Sequence, residues 1–275
     1  MSAAPPVAWP EAGWAAVPQR YRGVWVRTLL DAPGQRDDRS FVRWLQASVW
    51  HADLRVPPAA RSTAAPPPLI ETDLQRSLRL AGQQGFCGVT EVRSQAGSEV
   101  CTWHRRSDFQ PARDGADAGW MVFHTPDRLI ETGVHAPYLE VWQRLPDSVG
   151  PCIVLAGLDS LGRDNQERVL VAGRYLMRVR PRRLAWPDNL QAGQALAEVL
   201  ARHPALAVEL LDFEISFGVL DAGRWTIEQS TLPEREGCSL ACRLQRESAL
   251  HARISGDVTD QRWQILEWSC AESSV

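Results

Sequence analysis

Apolar and polar side chains alternate along most of the chain after residue 18. A period of two is typical of a β-strand that buries one face, and residues that favour turns separate the alternating segments. The pattern therefore predicts many short strands in hairpin-like succession. They lie at residues 24–29, 40–46, 48–56, 86–93, 99–106, 119–124, 128–133, 138–145, 152–158, 168–180, 207–210, 213–220, 224–229, 249–254 and 262–268.

Two segments have helical spacing instead of alternation. Leucines at helical intervals predict a short helix within 71–84. Leucines and a valine at similar intervals predict a second helix over 188–203. Asp188 would cap its first turn and Pro204 would end it.

Many short strands with few helices predict closed antiparallel sheets, because closure into a barrel removes exposed strand edges. The strand–helix–strand rhythm of a parallel sheet does not occur in the sequence. A segment rich in Pro and Gly at 146–151 divides the strands into two comparable halves, each with one short helix. The predicted fold is mainly β, with a flexible arm over 1–18, an N-terminal barrel over 19–148 and a C-terminal barrel over 149–275.

Composition and charge exclude several classes of protein. Apolar residues make up 44% and charged residues 23%, which indicates a globular chain. A net charge of −3 gives no electrostatic reason to bind nucleic acid, and no apolar run reaches the roughly 20 residues of a membrane span. Because the first residues also lack the features of a secretion signal, we expect a cytoplasmic protein with neither nucleic-acid nor membrane partners.

The residue types limit the available chemistry. All 30 basic residues are arginine, a usage typical of GC-rich bacterial genomes, and the absence of lysine excludes a Schiff base or a phosphate-binding P-loop. The six cysteines lack C-x-x-C spacing and nearby histidines, so we expect reduced, mostly buried thiols and no metal site. The G-x-S-x-G, H-E-x-x-H and G-x-G-x-x-G motifs do not occur, and we expect no cofactor.

Alternation along 50–56 brings three polar side chains onto one face. His51, Asp53 and Arg55 point one way, and the apolar residues between them point the other. If the apolar face packs against neighbouring elements, the polar face meets either bulk water or a polar barrel lumen.

A second polar position lies among aromatic residues. Glu140 shares its face with Tyr138 and Trp142, which predicts either a rim residue or a buried acid with a hydrogen-bonding partner. Arg55 is the partner we expect, because a guanidinium can bind a carboxylate through two hydrogen bonds.

The segment 101–111 is the richest in chemically active side chains. Trp103 and His104 are consecutive and therefore point to opposite faces of their strand. His104 could transfer protons near neutral pH if Asp108 or Glu140 oriented its ring. A structural hydrogen-bonding role is the commoner use of such a histidine.

Several short stretches together resemble the fungal Hri-type proteins, which are named for their association with a yeast casein kinase. These stretches are Cys-Thr-Trp-His at 101–104, Glu-Thr-Gly at 131–133, Tyr-Leu-Glu-Val-Trp at 138–142, Gly-Arg-Tyr at 173–175 and the closing strand 262–268. The resemblance implies two β-barrels of calycin-like, lipocalin-like form, in agreement with the strand pattern. It implies no chemistry, and the kinase partner is not carried across to this chain.

The leading hypothesis is that the lumen of the N-terminal barrel binds a small, partly apolar molecule. Twelve tryptophans against three tyrosines and six phenylalanines supply material for aromatic walls. The expected contacts are Trp44, Asp53, Arg55, Trp103, His104, Tyr138, Glu140 and Trp142.

Two alternatives stay open. One is an isomerase, dehydratase or hydrolase that works without a cofactor, with His104 as acid and base, Glu140 or Asp53 as its orienting group and Arg55 as an anion clamp. It requires His104 to lie about 3 Å from a carboxylate and to face a cavity. The other is an interaction scaffold with filled barrels, which predicts an exposed apolar patch of several hundred Å².

Overall fold

The computed structural model describes residues 13–61, 67–188, 190, 193–259 and 261–269. Strands dominate these residues, and the helices are short. The strands are β1 Gly23–Ala32, β2 Gln35–Asp37, β3 Phe41–Gln46, β4 Trp50–Val56, β5 Gln84–Gln95, β6 Ser98–Asp108, β7 Asp117–Thr125, β8 Arg128–Gly133, β9 Leu139–Arg144, β10 Cys152–Leu158, β11 Asp164–Ala172, β12 Tyr175–Arg180, β13 Glu214–Asp221, β14 Arg224–Ser230, β15 Ser239–Arg246, β16 His251–Gly256 and β17 Gln261–Trp268. The α-helices are α1 Leu74–Leu80, α2 Leu196–Arg202 and α3 Ala207–Leu211.

The first barrel is an antiparallel meander of eight strands. β1 pairs with β3, the strands β3 to β9 then pair in chain order, and β9 returns to pair with β1. The closing pair sets Arg27 opposite Trp142 and Leu30 opposite Glu140. β2 continues the hairpin from β1 beyond the barrel rim. Closure therefore brings the two ends of the 23–144 segment together.

The second barrel repeats this architecture with β10 to β17, and β17 closes it against β10. The predicted mainly β fold with two antiparallel barrels is thus confirmed. The first half carries α1 between β4 and β5, whereas the second half carries both α2 and α3 between β12 and β13.

Several details differ from the sequence prediction. The segment predicted as one strand over 168–180 is the hairpin of β11 and β12, and it turns at Gly173 with φ of +57°. A side chain at Gly173 would overlap the carbonyl oxygen of Asp147, so the turn requires glycine. The predicted strand 207–210 is the helix α3, because four alternating residues do not distinguish a strand from a helical turn.

The second predicted helix begins later than expected. α2 starts at Leu196, and Asp188 lies in a turn well before it, so the predicted cap is wrong. Residues 189, 191 and 192 of that prediction lie outside the described residues, as do residues 1–12 of the predicted arm. Within the described part of the arm, Val17 is buried and its N–H bonds the carbonyl oxygen of Ser48.

The barrels pack side by side through their outer walls. One apolar cluster contains residues from the outer faces of β3 and β4, from β12 and β13 of the second barrel, and from all three helices. Its central members include Leu45, Leu54, Met177, Ile215 and Phe217, each completely buried. Burial contributes about 25 cal/mol per Å² of apolar surface, so this wall is a major source of stability. Each lumen has its own separate cluster.

Candidate functional site

Tryptophan side chains fill the middle of the first barrel. The ring centroid of Trp44 lies 6.2 Å from that of Trp25, 5.5 Å from that of Trp103 and 5.7 Å from that of Trp142. Trp25, Trp44 and Trp142 are almost completely buried, and edge-on and stacked arrangements at these distances are favourable for aromatic rings. The lumen is therefore solid at this level, and a ligand has no room there.

A cavity of about 460 Å³ lies above this aromatic layer, at the barrel mouth. It forms where β1 and β4 end and β7 and β9 begin, because antiparallel strands bring such ends to one rim. Its aromatic wall consists of Trp103 and Tyr138. Its arginines are Arg27, Arg55, Arg105 and Arg113, and its acidic residues are Asp37, Asp117, Glu131 and Glu140.

An ion-pair network closes one side of the cavity. Arg27 Nη1 lies 2.7 Å from Glu140 Oε1, and Arg27 Nη2 lies 2.6 Å from Asp37 Oδ2. Arg55 reaches the same Glu140 oxygen at 3.5 Å and also binds Asp53 at 2.7 Å. Glu140 and Asp53 are 3% and 2% exposed, so these carboxylates depend on the two arginines for their charge balance.

Glu131 lies directly opposite Glu140 across the β8–β9 pair but has a different set of partners. Tyr138 Oη lies 2.6 Å from its Oε1, and Trp142 Nε1 donates to its Oε2 at 3.0 Å. Neither partner carries a charge. Burial, reinforced by the negative charge of Glu140, raises the pKa of Glu131 from 4.5 to about 8. Glu131 is thus mostly protonated at neutral pH in the folded protein.

This shift makes the stability of the protein depend on pH. Between pH 4.5 and about 8, Glu131 is protonated in the folded protein and ionised in the unfolded chain, so rising pH favours unfolding. We expect the free energy of unfolding to fall by up to about 1.4 kcal/mol per pH unit from this group. Urea titrations at pH 6.5 and pH 8 measure the change.

A variant isolates this contribution. Glu131→Gln cannot ionise, so its loss of stability over the same interval should be smaller than that of the wild type by about 1 kcal/mol or more. Burial lowers the pKa of His51 to about 3, so this histidine is neutral in the folded protein across the whole interval. Equal losses of stability in the wild type and in Glu131→Gln would contradict the raised pKa of Glu131.

Two further arginines face the other side of the cavity. Arg105 lies over the ring of Phe86, with its guanidinium carbon 3.7 Å from the ring centroid, and binds Asp108 at 2.7 Å and Asp117 at 2.6 Å. Arg113 also lines the cavity, but it makes no ion pair within the part of the chain that the structure describes. Arg113 is therefore available to an anion that enters the mouth.

The second barrel contains a comparable but self-contained network. Arg178 binds Glu214 at 3.0 Å and Glu167 at 3.1 Å, while Ser216 donates to Glu214 at 2.9 Å. Arg178 is 9% exposed and Glu214 is 1% exposed. These charges satisfy one another, whereas those of the first barrel line an open cavity.

The structure brings together four of the residues predicted to form the site. Arg55, Trp103, Tyr138 and Glu140 all line the cavity. The expected pairing of Arg55 with Glu140 is present, although Arg27 binds that carboxylate at a shorter distance. Of the other predicted residues, Trp44, Asp53 and Trp142 lie deeper in the lumen and support the cavity from behind.

His104 does not face the cavity, and the expectation that it would is wrong. Its ring packs against Trp14 at 4.5 Å between centroids, and its Nε2 lies 3.4 Å from Glu91 Oε2 on the outside of the barrel. Trp103 points into the lumen, so strand alternation turns its neighbour outward. Asp108, the other expected partner of His104, binds Arg105 instead.

The sequence prediction missed several of the cavity residues, namely Arg27, Arg105, Arg113, Asp117 and Glu131. One signal could have found Glu131, because it lies two residues before Gly133 in a strand and alternates with Leu129, which is completely buried. Arg27 similarly alternates with Trp25 on β1. A polar residue that alternates with buried apolar residues along a strand therefore indicates a lumen-facing position better than a histidine does.

Within the described ranges, no group of three or more His, Cys, Asp or Glu side chains is arranged to hold a metal ion. No helix in those ranges combines the length and apolar character needed to cross a bilayer.

Comparison with known proteins gives a structural match alone. No protein-family model matches the chain, and no curated protein sequence matches it. Among solved structures, the chain is similar to the crystal structure of the uncharacterized protein YLR301w from Saccharomyces cerevisiae, with a TM-score of 0.54 and 13% sequence identity. The match covers 90% of this chain and 99% of the yeast chain. At this identity the likeness shows the shared fold, and the double-barrel architecture implied by the sequence resemblance is confirmed.

Proposed function

We propose that the N-terminal barrel binds a small, partly apolar organic anion in the cavity at its mouth. The observation that supports this most directly is the combination of an open cavity with charged side chains on opposite walls. A volume of about 460 Å³ lies within the range of roughly 300–1,000 Å³ that is typical of small-molecule sites. A scaffold with filled barrels would have no need of such a cavity.

The charges favour an anionic ligand on one side of the cavity. Arg113 has no ion pair within the described ranges. The other three arginines of the cavity, Arg27, Arg55 and Arg105, are already bound to carboxylates. A carboxylate or phosphate of the ligand would therefore bind near Arg113, where a positive charge is available.

The remaining walls suit the apolar part of such a molecule. Trp103 and Tyr138 provide aromatic surface, while Leu30, Pro57 and Pro137 provide aliphatic surface. The strand order supports the analogy with calycin-like barrels, which are also closed meanders that hold ligands at the barrel mouth. This analogy concerns the fold and adds to the argument from the cavity.

We also propose a cytoplasmic location. Cys87, Cys101, Cys152, Cys238 and Cys242 are all free thiols, and four of them are buried. Reduced cysteines of this kind are typical of proteins in reducing compartments.

Ligand titrations test the proposed binding. Pentanoate, benzoate and methylphosphonate are suitable anionic probes, and pentanamide is a neutral control of the same size as pentanoate. Because Trp103 lines the cavity, binding should change the intrinsic fluorescence, and Trp103→Phe should reduce that change. Isothermal calorimetry measures affinity independently. No saturable response to any of the acids at millimolar concentration would contradict the proposal.

Arg113→Ala is expected to weaken the binding of pentanoate roughly fivefold. A hydrogen bond to a charged group contributes about 1.5–3 kcal/mol, and the exposure of this arginine reduces that value. The matched control is Arg128→Ala, which removes an exposed arginine that does not line the cavity and should leave the affinity unchanged. An equal effect of the two substitutions would show that binding depends on net charge alone.

A further inference from the structure

The hydrogen bonds of Glu131 leave one position for its acidic proton. Trp142 Nε1 can act only as a donor, so Glu131 Oε2 must act as an acceptor. The other oxygen, Oε1, lies 2.6 Å from Tyr138 Oη. Within the described ranges, Glu131 has no other hydrogen-bonding partner. When Glu131 is protonated, its proton therefore lies on Oε1 and is donated to the oxygen of Tyr138.

The charges around Glu131 favour this protonated form. Glu140 lies directly opposite on β9, and Asp117 at the start of β7 adds a second negative charge. Arg55 on β4 is the cation that acts on Glu131, but it is bound to Asp53. On β6, the thiol of Cys101 interacts with Glu131, and burial raises the pKa of this thiol. No arginine forms an ion pair with Glu131 among the described residues.

The protonation state of Glu131 determines whether Tyr138 presents a hydrogen-bond donor or only acceptor lone pairs to the cavity. A phenol oxygen that accepts a hydrogen bond from Glu131 must direct its own O–H elsewhere. Tyr138 lines the cavity, so that O–H is free to bind a ligand. When Glu131 is ionised, Tyr138 instead donates to Oε1 and presents only lone pairs to the cavity.

Two glycines hold these side chains in place. A Cβ atom at Gly119 would lie 2.6 Å from Glu131 Cγ, and one at Gly133 would lie 2.6 Å from Tyr138 Cε1. Glu131 thus packs directly on the backbone of Gly119, and Tyr138 packs on that of Gly133. A methyl group at either glycine would displace the side chain. The pair is packed in one arrangement and has little freedom to reorient.

We infer that Glu131 and Tyr138 form a hydrogen-bond donor subsite, and that the ligand is a small oxo or hydroxy acid whose second oxygen accepts the Tyr138 O–H while its carboxylate binds near Arg113. This inference rests on the proposed function and specifies the class of ligand. The proton of Glu131 sets the polarity of the subsite, so binding of the second oxygen is coupled to that proton.

The test compares pentanoate with 4-oxopentanoate, which differ by one carbonyl oxygen. At pH 6.5 we expect calorimetry to show that the oxo acid binds about fivefold more tightly, as one hydrogen bond of about 1 kcal/mol predicts. Tyr138→Phe should abolish that preference, because it removes the O–H that the carbonyl oxygen would bind. Above pH 8 the wild type should also lose the preference, because ionised Glu131 takes the Tyr138 proton.

Glu131→Gln separates this donor role from a general effect of charge. Its amide NH₂ can donate to Tyr138 while its carbonyl oxygen accepts from Trp142, so it imitates the protonated acid at every pH. The variant should keep the preference for the oxo acid at pH 9. Burial raises the pKa of Tyr138, so this phenol remains protonated there.

Three results would overturn the inference alone. They are equal binding of the two acids by the wild type, a preference that survives Tyr138→Phe, and a wild-type preference that persists unchanged at pH 9. In each of these cases pentanoate still binds, and the proposed function stands. If neither acid binds at pH 6.5, the proposed function fails and the inference fails with it.

Discussion

Replacing Arg27 with alanine is expected to lower the free energy of unfolding by about 3–5 kcal/mol, because it breaks a buried ion pair from one side. The side chain of Arg27 is 6% exposed and binds both Glu140 and Asp37. Without it, Glu140 keeps only Arg55 at 3.5 Å, and that arginine already binds Asp53. Urea unfolding followed by tryptophan fluorescence measures the loss.

A double variant separates charge balance from packing. Arg27→Met combined with Glu140→Gln removes both charges and keeps most of the side-chain volume, so it should recover at least half of the lost stability. Arg128→Ala, at an exposed position on β8, should change the stability by less than about 0.5 kcal/mol. A loss below about 1 kcal/mol for Arg27→Ala would show that water replaces the arginine and that the network is not closed.

Trp44→Ala is expected to destabilise the protein by a similar amount, about 3–5 kcal/mol, for a different reason. The indole of Trp44 is 1% exposed and contacts three other tryptophan rings. Its removal leaves a void that the surrounding strands cannot fill, because hydrogen bonding around the closed barrel fixes their positions. Thermal unfolding monitored by near-UV circular dichroism should show the lower transition temperature together with altered aromatic packing.

Two variants provide the comparison for Trp44→Ala. Trp44→Phe keeps an aromatic ring in the layer and should lose less than half as much stability. Trp120→Ala removes a half-buried indole from the outer face of β7 and should also have a smaller effect. If Trp120→Ala proved as destabilising as Trp44→Ala, the aromatic layer would not be the core of this barrel.

The strands and their faces could be predicted from the sequence because alternation is a local property. The segment 50–56 shows this well, since the shared face of Asp53 and Arg55 was predicted and the structure joins the two side chains at 2.7 Å. Alternation also placed Trp103 and His104 on opposite faces. The expectation that both residues line one lumen was wrong, because consecutive residues of a strand point to opposite faces of the sheet.

The composition of the site could not be predicted, because it depends on how the barrel closes. Arg27 and Glu140 are 113 positions apart and meet only because β9 returns to β1 in one register. A shift of that register by one residue would turn Glu140 out of the lumen. Alternation gives the face of each side chain but not its height along the barrel axis, and height separates the cavity residue Arg55 from the deeper Asp53.

The wall shared by the two barrels limits how the halves can diverge during evolution. Each lumen has its own apolar cluster, so a mutation inside one barrel requires no compensating change inside the other. Along the shared wall, a larger residue at Leu54 or Ile215 would have to be matched by a smaller one across the boundary. Residues at the mouth of the first barrel can therefore change while the joint between the halves keeps its shape.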